Sequence, residues 1–285
     1  MAQLVVTISN VLVLSAMYIL VASGFAFLFS ILGILNFSHG AIYMIGAYFG
    51  YLLISSLGVH PWLALLISAT AVALFGVFLE RYCFRPFVGD FDRVVMVCLA
   101  ITIILQTTIN IMAGTRTLGL PPFAVGVFAF GAVSVSYERI VTFAIGALLL
   151  VGILWFVNRT KWGLQMQAIM QNHDGALLQG INVNRMSAAA CAFGCGLAAV
   201  AGCLMGAFKG IGPFMGDLML VKALMLVILA GLGSIGGIFF AGLLVGGLDA
   251  VLPILINGAS SEAVGMGVIL ILLLIRPKGF FGHEA

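Results

Sequence analysis

Apolar residues in this chain gather in long runs instead of marking one helix face or alternate strand positions. The runs fall at approximately 4–30, 40–57, 62–82, 94–113, 138–157, 186–208, 218–232, 237–256 and 263–275. As a helix, a run of roughly 18 to 25 residues crosses a hydrocarbon core of about 30 Å. The pattern predicts an all-α polytopic fold with about nine spanning helices (eight to ten), some short or broken, in one transmembrane domain over residues 1–285. The short apolar stretch 123–135, following Pro121 and Pro122, is too short to span and predicts a structured loop.

Basic residues set the sidedness. Arg81, Arg85 and Arg93 fall in one loop, and Arg159, Lys161 and Arg185 in another at about 158–185. The positive-inside rule makes both cytoplasmic. Two crossings separate them, so the loop at about 114–137, which carries Arg116, is extracytoplasmic. Continued alternation puts Arg276 and Lys278 inside and the N-terminus outside.

Few polar groups interrupt the apolar runs. Asn36, Ser38 and His39 break the segment LGILNFSHGAIYMIG, flanked by Gly33 and Gly40. The backbone freed at such a break must be covered by protein or line a wet cavity. Two readings follow: a broken helix facing a substrate path, or a cytoplasmic turn with Asn36 or Ser38 as N-cap. Gln106 and Asn110, four apart on the fourth run, make a polar stripe that either lines a pore or bonds a neighbouring helix. Lys222 lies inside the seventh run and must snorkel, pair or face water, with Asp217 or Asp249 as partners or a substrate carboxylate as the alternative. An internal match aligns Ser38–Gly50 with Ser234–Gly246, pairing Gly40 with Gly236 and Gly46 with Gly242. It places two glycine-interrupted segments in corresponding positions, where transporters build their path. Gly231, Gly233 and Gly237 join these as hinge or packing glycines.

The stretch TKWGLQMQAIMQNHDGALLQGINVNRM is too polar to span. Trp162, Met166, Ile169 and Met170 recur at helical spacing, and Gly180 follows as a C-terminal signal. A short amphipathic helix outside the bilayer is expected, docked in a partner's groove or, as the alternative, an ordinary connector.

Composition narrows the class. Of 285 residues, 63% are hydrophobic and 7% charged, which leaves no room for a soluble domain's surface; the 36 glycines suit close helix packing. The net charge of +3 is a topology signal and not a nucleic-acid footprint. Four of the five cysteines lie within apolar runs, so no disulfide framework is read, and Cys191 with Cys195 is read as packing. No phosphate-binding loop of the G-x-x-x-x-G-K-[ST] type occurs, and no nucleophile–base pair or metal cluster stands out, so an enzyme is not expected. Intramembrane carboxylates for ion coupling are limited to Asp249 and Glu80, which counts against a secondary transporter acting alone.

Six segments together resemble the high-affinity branched-chain amino-acid ABC permease family: LNFSHGAIYMIGAY at 35–48, ERYCFRP at 80–86, GTRTLGLP at 114–121, GINVNR at 180–185, VKALMLVILAGLGSIGG at 221–237 and RPKGFFG at 276–282. The resemblance implies a subunit of an importer of Leu, Ile and Val in the bacterial inner membrane. It also implies a homologous permease subunit, two cytoplasmic ATPases carrying ATP and Mg, and a periplasmic binding protein. This chain would hold no cofactor, and the loop at 160–182 would couple to an ATPase through Trp162, Gly163, Met166, Gln167, Ala168, Met170 and Gly180. Family members commonly carry Arg where Gln167 stands and acidic residues near Asn172 and His173, which removes a charge-based pairing there. Relatives in the family handle urea, short amides or aromatic carboxylates, and these remain alternative cargoes.

Overall fold

The structure is a computed structural model that describes residues 2–130, 133–231, 234–256, 258–276 and 279–281. Among the described residues it is all-helical apart from one small hairpin. In chain order come α1 (Ala2–Leu32), α2 (His39–Tyr51, continued by a π-helical turn Leu52–Ser56), α3 (Pro61–Leu79, continued through Phe87), and α4 (Phe91–Ala113). The hairpin β1 (Val127–Phe130) and β2 (Val133–Ser136) follows, with Val127 opposite Ser136. Then come α5 (Tyr137–Arg159), α6 (Lys161–Gln171), α7 (His173–Leu178), α8 (Val183–Lys209), α9 (Met215–Ala230), α10 (Ile235–Leu255) and α11 (Gly258–Ile275).

Local chemistry sets many of these ends. Pro61 opens α3, where a missing N–H costs nothing. Asp90, Thr160, Asn172, Asn182 and Ser234 each cap a helix by accepting a hydrogen bond from a backbone N–H three residues on. The tail behaves similarly at the other polarity. Phe280 N donates to Leu229 O at 2.8 Å and Phe281 N to Ala230 O at 3.2 Å, satisfying carbonyls that α9 leaves free at its C-terminus.

α1 and α8 form the centre of the bundle, and α1 also packs on α5, α9 and α10. Gly24 and Gly194 let the two central helices touch backbone to backbone: a Cβ at Gly24 would lie 2.7 Å from Gly194 O. This small-residue contact is how helices associate where lipid supplies no hydrophobic drive. α3, α4 and α5 are peripheral and expose Leu66, Leu74, Ile103, Ile104, Leu148 and Val151, as a lipid-facing surface requires.

The two basic loops lie on one side. Arg85 binds buried Glu80 through two hydrogen bonds, at 3.0 and 2.6 Å, and donates a third to Asn184 O at 3.0 Å. Ile31, near the end of α1, packs with Met186 at the start of α8, so α1 ends on that same side. The opposite side carries the hairpin and a backbone bridge between Leu118 and Ile211. The 114–137 loop thus holds structured elements and lies on the side opposite the basic loops. Lys278 lies outside the described residues.

The count of nine spans needs correction. Among the described residues six helices are long and apolar enough to cross a membrane: Gln3–Leu32, Pro61–Phe87, Phe91–Ala113, Tyr137–Arg159, Val183–Lys209 and Gly236–Leu255. The runs at 40–57, 218–232 and 263–275 are also helices, but short ones, with 13 residues in α2, 16 in α9 and 18 in α11. Hydropathy counts apolar residues and does not see where a helix starts, and α2 and α9 start inside the protein.

Candidate functional site

The two short helices are set by two loops that fold back into the bundle from opposite sides. α1 ends at Gly33, with φ +67, on the side of the two basic loops. By His39 the chain has returned to the level of Val21, whose carbonyl lies 3.1 Å from His39 Nε2. Val21 stands eleven residues before the end of α1, so α2 begins about 16 Å inside the bundle, at 1.5 Å per residue. α8 ends in the same way at Gly210, with φ +84, on the other side. Ile211 turns back onto Gly206, and by Gly216 the chain meets Gly40 so closely that neither position has space for a Cβ. The N-terminal ends of α2 and α9 thus face each other deep in the protein. Positive helix ends at such a junction suit anionic groups of a substrate.

This makes α9 the geometric counterpart of α2, as an inverted pair. The segment matched in sequence, Ser234–Gly246, forms the start of α10 instead. Its glycines still pack much as those of α2 do, since Gly46 meets Ala199 in α8, while Gly242 and Gly246 meet Ile19 and Ser15 in α1. Gly231, with φ +92, ends α9, and Gly237 donates to Ser234 Oγ at 3.1 Å. Gly236 has open space where a Cβ would sit. Gly233 lies outside the described residues.

Asn36, Ser38 and His39 are all enclosed by protein. Asn36 Oδ1 accepts from Ser38 N at 3.0 Å and from Ser38 Oγ at 2.6 Å, closing the turn before α2. Ser38 occupies the N-cap position without a capping bond from its side chain. His39 meets Phe25 edge-on at 5.7 Å between ring centres. Asn36 Nδ2 and His39 Nδ1 have no hydrogen-bond partner among the described residues. The turn is therefore a buried one, with Ser38 at the N-cap position of α2. Burial follows from the return of the chain to mid-depth.

Gln106 Nε2 donates to Asp217, tying α4 to the start of α9. This is the interhelical bond among the two readings of the polar stripe. Asn110 Oδ1, one turn on, is buried and has no partner among the described residues. With Asp217 engaged there, Lys222 finds Asp249 instead.

Lys222 is only 3% exposed and sits in a knot of charge. Its ammonium donates to Asp249 and, at 3.3 Å, to Tyr18 OH, and lies 3.6 Å from Glu262 Oε1. Tyr18 OH in turn donates to Asp249 Oδ2 at 2.5 Å. α1, α9, α10 and α11 each contribute one group. Two of the three ammonium donors are thus hydrogen-bonded, and Glu262 adds charge at longer range. Glu262, together with buried Glu138 at the start of α5, corrects the expectation that intramembrane carboxylates end with Asp249 and Glu80. Glu80 itself is committed to Arg85. Tyr18 and Glu262 were not singled out in the sequence: a tyrosine in an apolar run carries no signal, and Glu262 stands near the start of a weak span.

On the side of the basic loops α6 and α7 form an elbow, broken at Asn172, whose side chain caps α7. The helical spacing in the sequence was right, but its apolar face turns inward. Met166 and Ile169 are buried against Ile31, Met186 and Ala190, with Met170 partly buried beside them. Gly163 sits against the backbone of Phe156 and Val157, and Gln167 donates to Val157 O and Asn158 Oδ1, both at 3.1 Å. Gly163, Met166 and Gln167 thus all make contacts within the chain itself. Two short connections, at Thr160 and Asn172, force the elbow back onto the helix ends. Ala168 is partly buried, Trp162 half-exposed, and Gly180 follows α7 with φ +78. The outer surface shows Trp162, Leu164, Leu177 and, 89% exposed at the tip, Leu178.

Residues 7–276 match the family described as the branched-chain amino acid transport system / permease component. The chain belongs to this permease family. It is 31% identical over 290 aligned positions to the high-affinity branched-chain amino acid transport system permease protein BraD of Pseudomonas aeruginosa, covering 96% of this chain and 94% of that protein. It is 30% identical, with the same coverage, to the corresponding permease protein LivH of Escherichia coli. A solved structure, PsaBC from Streptococcus pneumoniae in complex with Fab, shares the fold with TM-score 0.55 and 17% identity over 95% of this chain and 92% of that one. The role that family membership carries is transport across a membrane by a multi-pass permease subunit.

Proposed function

We propose that residues 1–285 form one transmembrane permease domain of an ATP-driven importer in the bacterial inner membrane, carrying Leu, Ile and Val. A periplasmic binding protein delivers the amino acid to the face holding the 114–137 loop. A homologous permease subunit completes the pathway, and two cytoplasmic ATPases supply the energy with ATP and Mg that this chain does not hold. The observation that carries the reading, beside family membership, is the α6–α7 elbow. It is locked to α1 and α8 by Met166 and Ile169 and exposes Leu177 and Leu178 away from the bundle. A push on such an elbow passes directly to the two central helices, and each ATPase state biases one arrangement of the bundle. The exposed Leu177 and Leu178 make this contact an apolar one.

Competition tests the cargo. Labelled leucine taken up by vesicles holding the full complex is displaced by excess valine and isoleucine, whereas displacement by urea, a short amide or benzoate alone gives the same machine another cargo. A second reading, an ion-coupled transporter acting alone, draws on the knot of Lys222, Asp249, Glu262 and Tyr18. It predicts uptake that follows a proton or sodium gradient with no ATP.

A further inference from the structure

A cavity of about 210 Å³ lies among α1, α2, α8, α9 and α11. Its polar lining is Tyr18, Tyr43, Lys209, Lys222 and Glu262, and its apolar wall includes Met205, Leu218 and Met219. Lys209 is the last residue of α8, on the side of the hairpin, and Lys222 lies deeper. The cavity thus leads from the outer face toward the buried charge knot. Ligand pockets for drug-sized molecules run to roughly 300–1,000 Å³, so this one fits a single small amphiphile and neither a nucleotide nor a peptide.

Its charges do not close among themselves. Lys222 and Asp249 form a hydrogen-bonded pair, seconded by Tyr18, and together are neutral. Glu262 stands at 3.6 Å from Lys222, too far for a hydrogen bond, with its side chain 49% exposed. Lys209 makes no ion pair among the described residues. One cation and one anion therefore remain on the walls of one small cavity. A lone anion would leave Glu262 facing it, and a lone cation would leave Lys209. A molecule carrying both charges on neighbouring atoms and an aliphatic tail satisfies all three walls, and flexible methionines adapt to branched tails.

We infer that this cavity is a binding site for an α-amino-acid zwitterion within the membrane, with the substrate carboxylate at Lys209, its ammonium at Glu262, and its side chain against Met205, Leu218 and Met219. The inference rests on the importer reading for its cargo and adds to it a place inside the permease where that cargo is held.

The test is photolabelling with photo-leucine, a diazirine analogue of leucine, on the complete importer in lipid nanodiscs without the binding protein, mapped by mass spectrometry. The expected label falls on peptides containing Met205 or Leu218–Met219. Unlabelled leucine competes, but leucinamide, which lacks the carboxylate, and 4-methylpentanoate, which lacks the ammonium, do not. Lys209→Met and Glu262→Gln each lower the yield at least tenfold, and Glu262→Asp, which keeps the charge, stays within about threefold of the parent. Loss of label in all three variants together would mean a structural role for Glu262 and overturn the site. So would label elsewhere, or a yield within twofold of the parent in both Lys209→Met and Glu262→Gln. Labelling needs no ATP, so failure of ATP-driven uptake with labelling intact would sink the importer reading alone.

Discussion

Replacing Asp249 by asparagine keeps the side chain's shape but removes its charge, and so isolates what the intramembrane ion pair contributes. Lys222 and Asp249 have side chains only 4% and 10% exposed, so each relies on its protein partner far more than on water. Removing one member of a buried pair typically costs about 3–5 kcal/mol, because the other charge stays behind. Asp249→Asn belongs at the lower end, near 3 kcal/mol, since Glu262 remains 3.6 Å away to share the ammonium. Lys222→Met belongs at the upper end, about 4–5 kcal/mol, because Asp249 then keeps only the Tyr18 hydroxyl as donor. The double variant leaves no buried charge unpaired between the two positions and costs less than either single change. The assay is reversible unfolding in mixed micelles across the four proteins of this double-mutant cycle. A coupling energy of at least about 4 kcal/mol is expected from these costs, and additivity within about 0.5 kcal/mol, the range for independent sites, would refute the pairing.

Gly194→Val forces a side chain against Gly24 O, where a Cβ alone would already lie at 2.6 Å, and overpacking of this kind costs about 1–3 kcal/mol. The loss is read as a lower Tm, and an unchanged Tm would show that α1 and α8 do not touch there. Leu178→Asp, at the exposed tip of the elbow, leaves stability within about 0.5 kcal/mol, as surface changes do, but lowers ATP-driven uptake at least tenfold. Uptake at the parental rate would remove α7 from the ATPase contact. Thr160→Ala deletes the cap that accepts from Gly163 N at 3.0 Å and destabilises α6 by about 1 kcal/mol, seen as faster amide exchange over 161–166.

Much of this was legible in the sequence, and what was not follows a physical pattern. Every apolar run is a helix, and the basic loops do share a side, because length, hydropathy and charge act locally. The elbow's helix was legible from Trp162, Met166, Ile169 and Met170, but which way that face turns depends on Ile31 and Met186, far away in the chain. The same holds for Lys222. Its need for a partner was clear and Asp249 was named, but Tyr18 and Glu262 enter only when four helices are brought together. The two returning loops were half legible: Asn36, Ser38 and His39 marked the first, while the second, around Gly210, carries no comparable polar run and was missed. Asn36, Ser38 and His39 lie in a buried turn that opens α2.

The central claim, that this permease domain moves an amino acid inward at the expense of ATP on partner subunits, is tested most directly by one measurement. Labelled leucine uptake is followed in proteoliposomes holding the chain, a homologous permease, two ATPases and the binding protein, with ATP or a non-hydrolysable analogue, and with or without proton and sodium gradients. Uptake that requires hydrolysable ATP and is indifferent to the gradients is the result expected. Uptake that persists without ATP and follows a gradient would contradict the account.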